Sequence, residues 1–304
     1  MGLINGENSW CRNMPARFNL IDTFPDFLQI WNENITGDPD RQIQLWERFY
    51  RDRYEEIFNK TIESYSSDGE QWKDFAMKRI FPIDAEKIIL MEEAHKNLLK
   101  VIFDLCGNPD TVRLFPSDLT FVIYVGIGTG AGWASSYKSK PAILFGLENI
   151  IDMHWESEIA LKGLALHEAG HLFQETVRKE SGFPFGKGPI WYLYEEGFAE
   201  YFESQLLTPE IWHQSLGQPG WNRWCEEHIQ YLSSLFLEDV ESGSETTRFF
   251  GSWYDIDGWK ETGYFLGYMV MKQLELPLYD LACLTPEQVE IKVKQTLSEF
   301  ANAK

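Results

Sequence analysis

The sequence predicts an α+β fold that is mainly α, with a small sheet followed by a longer helical region. Three observations point there. Apolar residues recur at near-helical spacing in the first third, two short β-rich runs lie near the middle, and helical spacing returns from about residue 156.

Along the chain, PDRQIQLWERFYRDRYEEIFNKTIESY (39–65) sets Ile43, Trp46, Phe49, Tyr50 and Ile57 at helical spacing. Asp84 is placed to cap a second helix, DAEKIILMEEAHKNLLKVIFDL, ending near Gly107. DLTFVIYVGIG (118–128) and PAILFGLEN (141–149) are apolar, β-rich runs, and the Gly- and Ser-rich TGAGWASSYKSK between them is expected to be a loop. The helices that follow are SEIALKGLALHEAGHLFQETVRK, IWYLYEEGFAEYFESQLL, a segment around 221–238, one from about 260 to 275, and a last one after Thr285-Pro286. Residues 1–304 are expected to form a single unit, with 1–117 its mainly helical N-terminal portion and 118–304 its sheet and later helices.

Composition narrows the function classes. With 44% apolar residues and 12 Trp, 13 Tyr and 21 Phe, the chain can bury a sizeable core and is not disordered. A net charge of 27 − 47 = −20 argues against a general nucleic-acid surface. Cys11, Cys106, Cys225 and Cys283 lie far apart without a C-x-x-C pair, which fits reduced thiols in the cytoplasm. The N-terminus shows no secretory leader and no 18-residue apolar run could span a membrane, so neither a nucleic acid nor a membrane is an expected partner. Sequons at Asn34 and Asn59 carry no weight without secretion. Gly126, Gly128 and Ala131 superficially match a dinucleotide fingerprint, but ASSYKSK and Pro141 leave no room for its crossover helix.

The chemistry concentrates in GLALHEAGHLF (163–173). Residues i and i+4 share one helix face, so His167 and His171 can both reach one tetrahedral Zn²⁺ at roughly 2.0–2.1 Å. Glu168 then stands beside the ion, placed to act on a water there. Leu164, Ala165, Leu166 and Leu172 make the helix apolar, and apolar helices seldom carry His-Glu-His without a partner. The alternative is a helix whose two His and one Glu bond to solvent or to each other. A third ligand is available in YLYEEGFAEYF, where Glu195, Glu196 and Glu200 fall on a second helix. The 24 residues between His171 and Glu196 suffice to turn through SGFPFGKGPI and return antiparallel. That brings a carboxylate to the metal and leaves a fourth position open, as hydrolytic zinc requires.

The pair HEAGH … EEGFAEYF resembles the gluzincin metallopeptidases, the thermolysin and aminopeptidase N-like group, over roughly residues 119–275. The resemblance implies a zincin-type helical region with two antiparallel active-site helices. It selects Glu196 as the third ligand, because Glu195-Glu196-Gly197-Phe198-Ala199 matches N-E-G-F-A with Glu195 in the Asn place. Glu200 lies where such enzymes put an acid that orients a zinc-bound His; a surface charge is the alternative. FGLEN (145–149) is similar to their G-A-M-E-N strand, although only the last two letters are identical. By that likeness Glu148 would bind a substrate's amino terminus; a strand-end or helix-cap carboxylate is the alternative. Tyr264–Gly267 is similar to their Y-x-K-G, with Leu266 in place of Lys, which makes Tyr264 an oxyanion donor or else a core aromatic. Arg178 is a further candidate, for a substrate carboxylate.

The sequence departs from the family in its longer His171–Glu196 spacing and in its first 118 residues, which resemble nothing there. It is closer in style to compact bacterial proteins expected, from this motif, to be zinc-dependent proteases. The implied activity is hydrolysis of peptide or protein substrates with Glu168 as general base. Two alternatives stay open: a catalytically silent peptide-binding protein that keeps the metal site, and a zinc hydrolase of a non-peptide bond. Oligomeric state is not legible.

Overall fold

The computed structural model describes residues 17–34, 37–63, 71–207, 212–251 and 254–303. The N-terminal stretch considered for a leader, with Cys11, lies outside them, as do Ile35 and Thr36 of the first sequon. The architecture is α+β and mainly α, and the chain divides into two compact units, Met1–Ala165 and Leu166–Lys304. Among the described residues no helix is long and apolar enough to cross a membrane.

The first unit contains β1 (Phe18–Asp22), α1 (Phe24–Asn34), α2 (Pro39–Arg53), α3 (Glu55–Glu63), α4 (Gln71–Arg79), α5 (Ala85–Gly107), α6 (Pro109–Val112), β2 (Leu119–Tyr124), β3 (Gly132–Tyr137), β4 (Lys140–Gly146) and α7 (Leu147–Asp152). The start of α8 (Glu158–Ser181) also belongs to it. Its sheet has the order β1-β2-β4-β3, parallel except for β3, which runs antiparallel to β4. All six residues of β2 are buried, as a continuous apolar run at the centre of a covered sheet requires.

The helix expected over 39–65 is two, because the backbone leaves helical geometry at Tyr54 (φ −138°, ψ 51°). Ile43, Trp46, Phe49, Tyr50 and Ile57 are nonetheless all buried. Asp84 caps α5, its carboxylate accepting from Lys87 N at 2.9 Å.

Two strands depart from the sequence expectation. β1 lies in the portion expected to be helical, and β3 lies in the segment expected to be a loop. β3 is an edge strand in which Gly132, Ala134 and two serines offset the strand preference of Trp133 and Tyr137, and its order comes from pairing with β4. Lys138 (φ 49°) and Ser139 (φ 62°) form the two-residue turn between them, both left-handed as a tight hairpin needs. The Gly126–Ala131 segment runs into this hairpin and opens no helix.

The second unit contains α9 (Pro189–Leu206), α10 (His213–Leu216), α11 (Trp221–Glu227), α12 (Ile229–Ser242), α13 (Thr262–Gln273), α14 (Leu278–Ala282) and α15 (Pro286–Ala301), with the rest of α8. The segment expected around 221–238 breaks at His228 into α11 and α12. Thr285 and Gln288 close a reciprocal capping box at the start of α15. α9 is central, packing on α13, α14 and α15. Its tightest approach is to α13. A Cβ added at Gly197 would lie 2.4 Å from the Gly267 carbonyl group, and one added at Gly267 would lie 2.7 Å from Gly197 Cα. Backbone therefore meets backbone, and only glycine allows it.

Candidate metal centre

α8 and α9 bring the site together. His167 of α8 meets Glu200 of α9, His171 meets Glu196, and Arg178 lies over Trp191. Numbers that rise along one helix fall along the other, so the two run antiparallel. Phe173, between the His residues and Arg178, packs its ring on Phe198 and Phe202.

His167 Nε2 and His171 Nε2 are 3.2 Å apart, and Glu196 Oε2 lies 3.3 Å from the first and 3.4 Å from the second. A tetrahedral zinc with ligands at 2.0–2.1 Å has ligand–ligand edges of about 3.3–3.4 Å. The three atoms thus form one face of such a tetrahedron, and the donor set of two imidazoles and a carboxylate suits zinc. Burial works against charge on all three groups, yet their mutual attraction wins. The His171 and His167 charges hold the Glu196 carboxyl below its ordinary range, while Glu196 and Glu200 raise the imidazoles.

Behind His167, its Nδ1 lies 2.8 Å from Glu200 Oε1, although the oxygen sits off the N–H direction. The Gln214 side-chain amide donates to the same oxygen. Glu203 Oε2 is 3.0 Å from His213 Nδ1, and the His213 ring is 5.4 Å from that of His167. Burial pushes the Glu203 carboxyl up to about 8 and the His213 imidazole down to about 4, so both are mostly neutral near pH 7. His167, Glu200, Glu203 and His213 are also close enough together to surround an ion. The 2.8 Å His167–Glu200 separation, however, is an ion-pair contact shorter than a tetrahedral edge. It suits a carboxylate that orients His167 better than a second ligand set.

Glu168 is buried, and its carboxylate makes no hydrogen bond to another described residue. Tyr264 stands on α13 with its ring 5.7 Å from His167's, placed there because Gly267, one turn on, abuts Gly197 beside Glu196. Burial and the Glu196 charge raise both the Tyr264 and the Tyr192 phenols. Tyr192 is 43% exposed and packs edge-on against Phe250 at 4.6 Å, and Phe250 in turn meets Tyr264 at 5.7 Å.

Glu148 belongs to the first unit, in the first turn of α7. Its carboxylate accepts from Gly126 N at 2.5 Å and Gly128 N at 3.0 Å. The glycines of the dinucleotide-like run therefore bind a carboxylate of their own chain. Arg178 is fully buried and donates to the carbonyls of Ala282 (2.7 Å), Leu284 (2.8 Å) and Pro184, which makes it an anchor for α14 and the 182–188 turn.

Sequence reasoning did not single out Glu203, His213, Gln214 and Tyr192. Glu203 had a visible signal, since Glu196, Glu200 and Glu203 fall at i, i+4 and i+7 on one face of a largely apolar helix. Tyr192, one turn before Glu196, shares that face. Nothing in the sequence around His213 and Gln214 marks them. The chain matches no protein-family model, no curated protein and no solved structure.

Proposed function

We propose that this chain is a zinc-dependent peptidase. The observation that carries the reading is the near-equilateral triangle of His167 Nε2, His171 Nε2 and Glu196 Oε2, whose 3.2–3.4 Å edges suit a tetrahedral ion with one position left open. Those three side chains would hold the zinc. When bound, it supplies Lewis acidity toward a scissile carbonyl and toward water.

The chain's own residues do the rest. Glu168, buried and uncommitted, takes a proton from the attacking water and delivers it to the leaving amine as the C–N bond breaks. Tyr264 donates a hydrogen bond to the carbonyl oxygen as it gains charge. Glu200, braced by Gln214, holds the His167 ring in the orientation that ligation needs. The substrates are peptides or proteins, with neither nucleic acid nor membrane among the partners. Cys106, Cys225 and Cys283 are free thiols, which suits work in the reducing cytoplasm.

Metal analysis of protein purified without chelator tests the ligand set. Zinc near one equivalent in wild type, lost in His167→Ala, is expected; its absence from wild type overturns the reading. A mixed peptide library then compares wild type with Glu168→Gln. Background cleavage by both would instead mark a silent binding protein that retains the metal.

A further inference from the structure

Tyr264 owes its place to two holds on α13. One turn after it, Gly267 abuts Gly197. One turn before it lies Lys260, and both polar groups of that residue's backbone are taken up by side chains from the start of α11 and the turn before it. Lys260 N donates to Gln218 Oε1 at 2.9 Å, while Lys260 O accepts from Trp221 Nε1 at 2.8 Å and from Gln218 Nε2 at 3.4 Å. The chain turns sharply here, with Asp257 (φ 53°), Gly258 (φ 86°) and Glu261 (φ 59°) all left-handed. A glutamate keeps that conformation only where its neighbours impose it, and the bonds to Lys260 are the imposition.

Gln218 is itself tied to the metal centre. Its Nε2 donates to Gln214 O, one turn earlier, at 3.3 Å, and the Gln214 side-chain amide donates to Glu200 Oε1. Glu200 Oε1 is 2.8 Å from His167 Nδ1, and the His167 ring is 5.7 Å from that of Tyr264. The contacts therefore close into a ring. It runs from His167 through Glu200, Gln214, Gln218 and Lys260 to the first turn of α13, where Tyr264 N donates to Glu261 O at 3.2 Å, and so back to His167. Stability alone does not account for Gln214 in this ring. The residue is 2% exposed, and its Oε1 is buried without a partner among the described residues. An apolar side chain of similar length would avoid the unpaired acceptor, but it could not donate to Glu200.

We propose that Gln214 and Gln218 are positioning residues that tie the carboxylate behind His167 to the start of α13, and so set the Tyr264 hydroxyl relative to the metal centre. The proposal rests on the peptidase reading, in which that hydroxyl acts on the carbonyl oxygen. It gives the hydroxyl a second reference besides the contact of Gly267 with Gly197. Gln218 acts on the chemistry only through α13. Gln214 acts in two directions, on His167 through Glu200 and on α13 through Gln218.

Methionine at either position keeps the length of the side chain and removes its hydrogen bonds. Gln218→Met should lower kcat about tenfold with KM and zinc content unchanged, as the loss of an interaction made only in the transition state requires. In a Tyr264→Phe background the same substitution should change kcat by less than about twofold, because nothing is left for it to position. A readout independent of turnover is amide hydrogen exchange at Tyr264, followed on the metal-free chain. It should quicken about tenfold in Gln218→Met, the size of one or two lost hydrogen bonds. Gln214→Met, which cuts the tie at its other end, should quicken the same amide and also weaken zinc about tenfold. This second variant decides the matter should Gln218→Met fail to fold. Unchanged exchange in both variants, or an equal fall in kcat with and without the Tyr264 hydroxyl, overturns the tie. Zinc and peptide cleavage in wild type, with exchange indifferent to both variants, would remove the tie alone. Exchange that responds to both variants in a chain that neither holds zinc nor cleaves peptides would remove the peptidase reading alone.

Discussion

In the first unit the buried carboxylate of Glu148 rests on two backbone N–H groups, whereas in the second unit Glu196, Glu200 and Glu203 face imidazoles and an amide. The difference separates structure from chemistry. Backbone donors are fixed by the path of the loop that carries them, and Glu148 in return holds that loop. Side-chain partners can be reassigned, because an imidazole that pairs with a carboxylate can equally turn its lone pair to a cation. The ionisation follows the same division. Burial leaves Glu148 raised to about 7 despite its two donors, while the His171 and His167 charges hold Glu196 low.

The sharpest way to break this comparison is Glu168→Gln, a change in the second unit that removes no packing. It should lower kcat by about 10²–10⁴-fold with zinc content unchanged, read by peptide hydrolysis and metal analysis side by side. A second test asks whether the helix crossing sets the site. Gly197→Ala drives a methyl into the Gly267 backbone and should cost about 3 kcal/mol in urea unfolding, at the upper end for overpacking because no side chain can step aside. If it costs nothing, the crossing is not a fixed contact.

A third test addresses the first unit. Between about pH 4.5 and 7 the folded chain keeps a proton on Glu148 that the unfolded chain has released. The stability this group contributes is therefore fully present below pH 4.5 and is lost as pH rises to about 7, by at most about 3 kcal/mol. Glu148→Gln should flatten that part of the stability–pH curve in urea titrations at pH 5 and 7.5; an unchanged slope would mean that the two backbone donors keep the carboxylate ionised. The smallest expected effect belongs to Glu200→Gln, which should weaken zinc binding about 10–100-fold in competition with a chelator dye. No loss would show that Glu200 does not orient His167.

Much of this was legible because local signals and tertiary packing agree. The HEAGH helix and the EEGFAEYF helix are long and strongly patterned, and α5 and α15 carry their own caps at Asp84 and Thr285. Legibility failed where order comes from partners. β3 is a strand because β4 lies beside it, and β1 is five residues along one edge of the same sheet. Glu148 is similar to a binding residue in the letters around it. Its carboxylate also accepts from glycine N–H groups 20 and 22 residues earlier, which no local pattern announces. His213 and Gln214 reach Glu203 and Glu200 only through the fold of the second unit.

The Gly197–Gly267 crossing has a consequence for how precisely the site can be held. Glu196 adjoins one glycine and Tyr264 lies a turn from the other, so a proposed metal ligand and a proposed hydroxyl donor hang from a single joint with no side chain in it. Rotamer exchange, which loosens ordinary helix contacts on fast timescales, has nothing to act on there. The two groups are registered to each other by main-chain contact, as parts on a common axle are. A methyl at either glycine would displace both together, and once the helices had parted for the first, the second would add little.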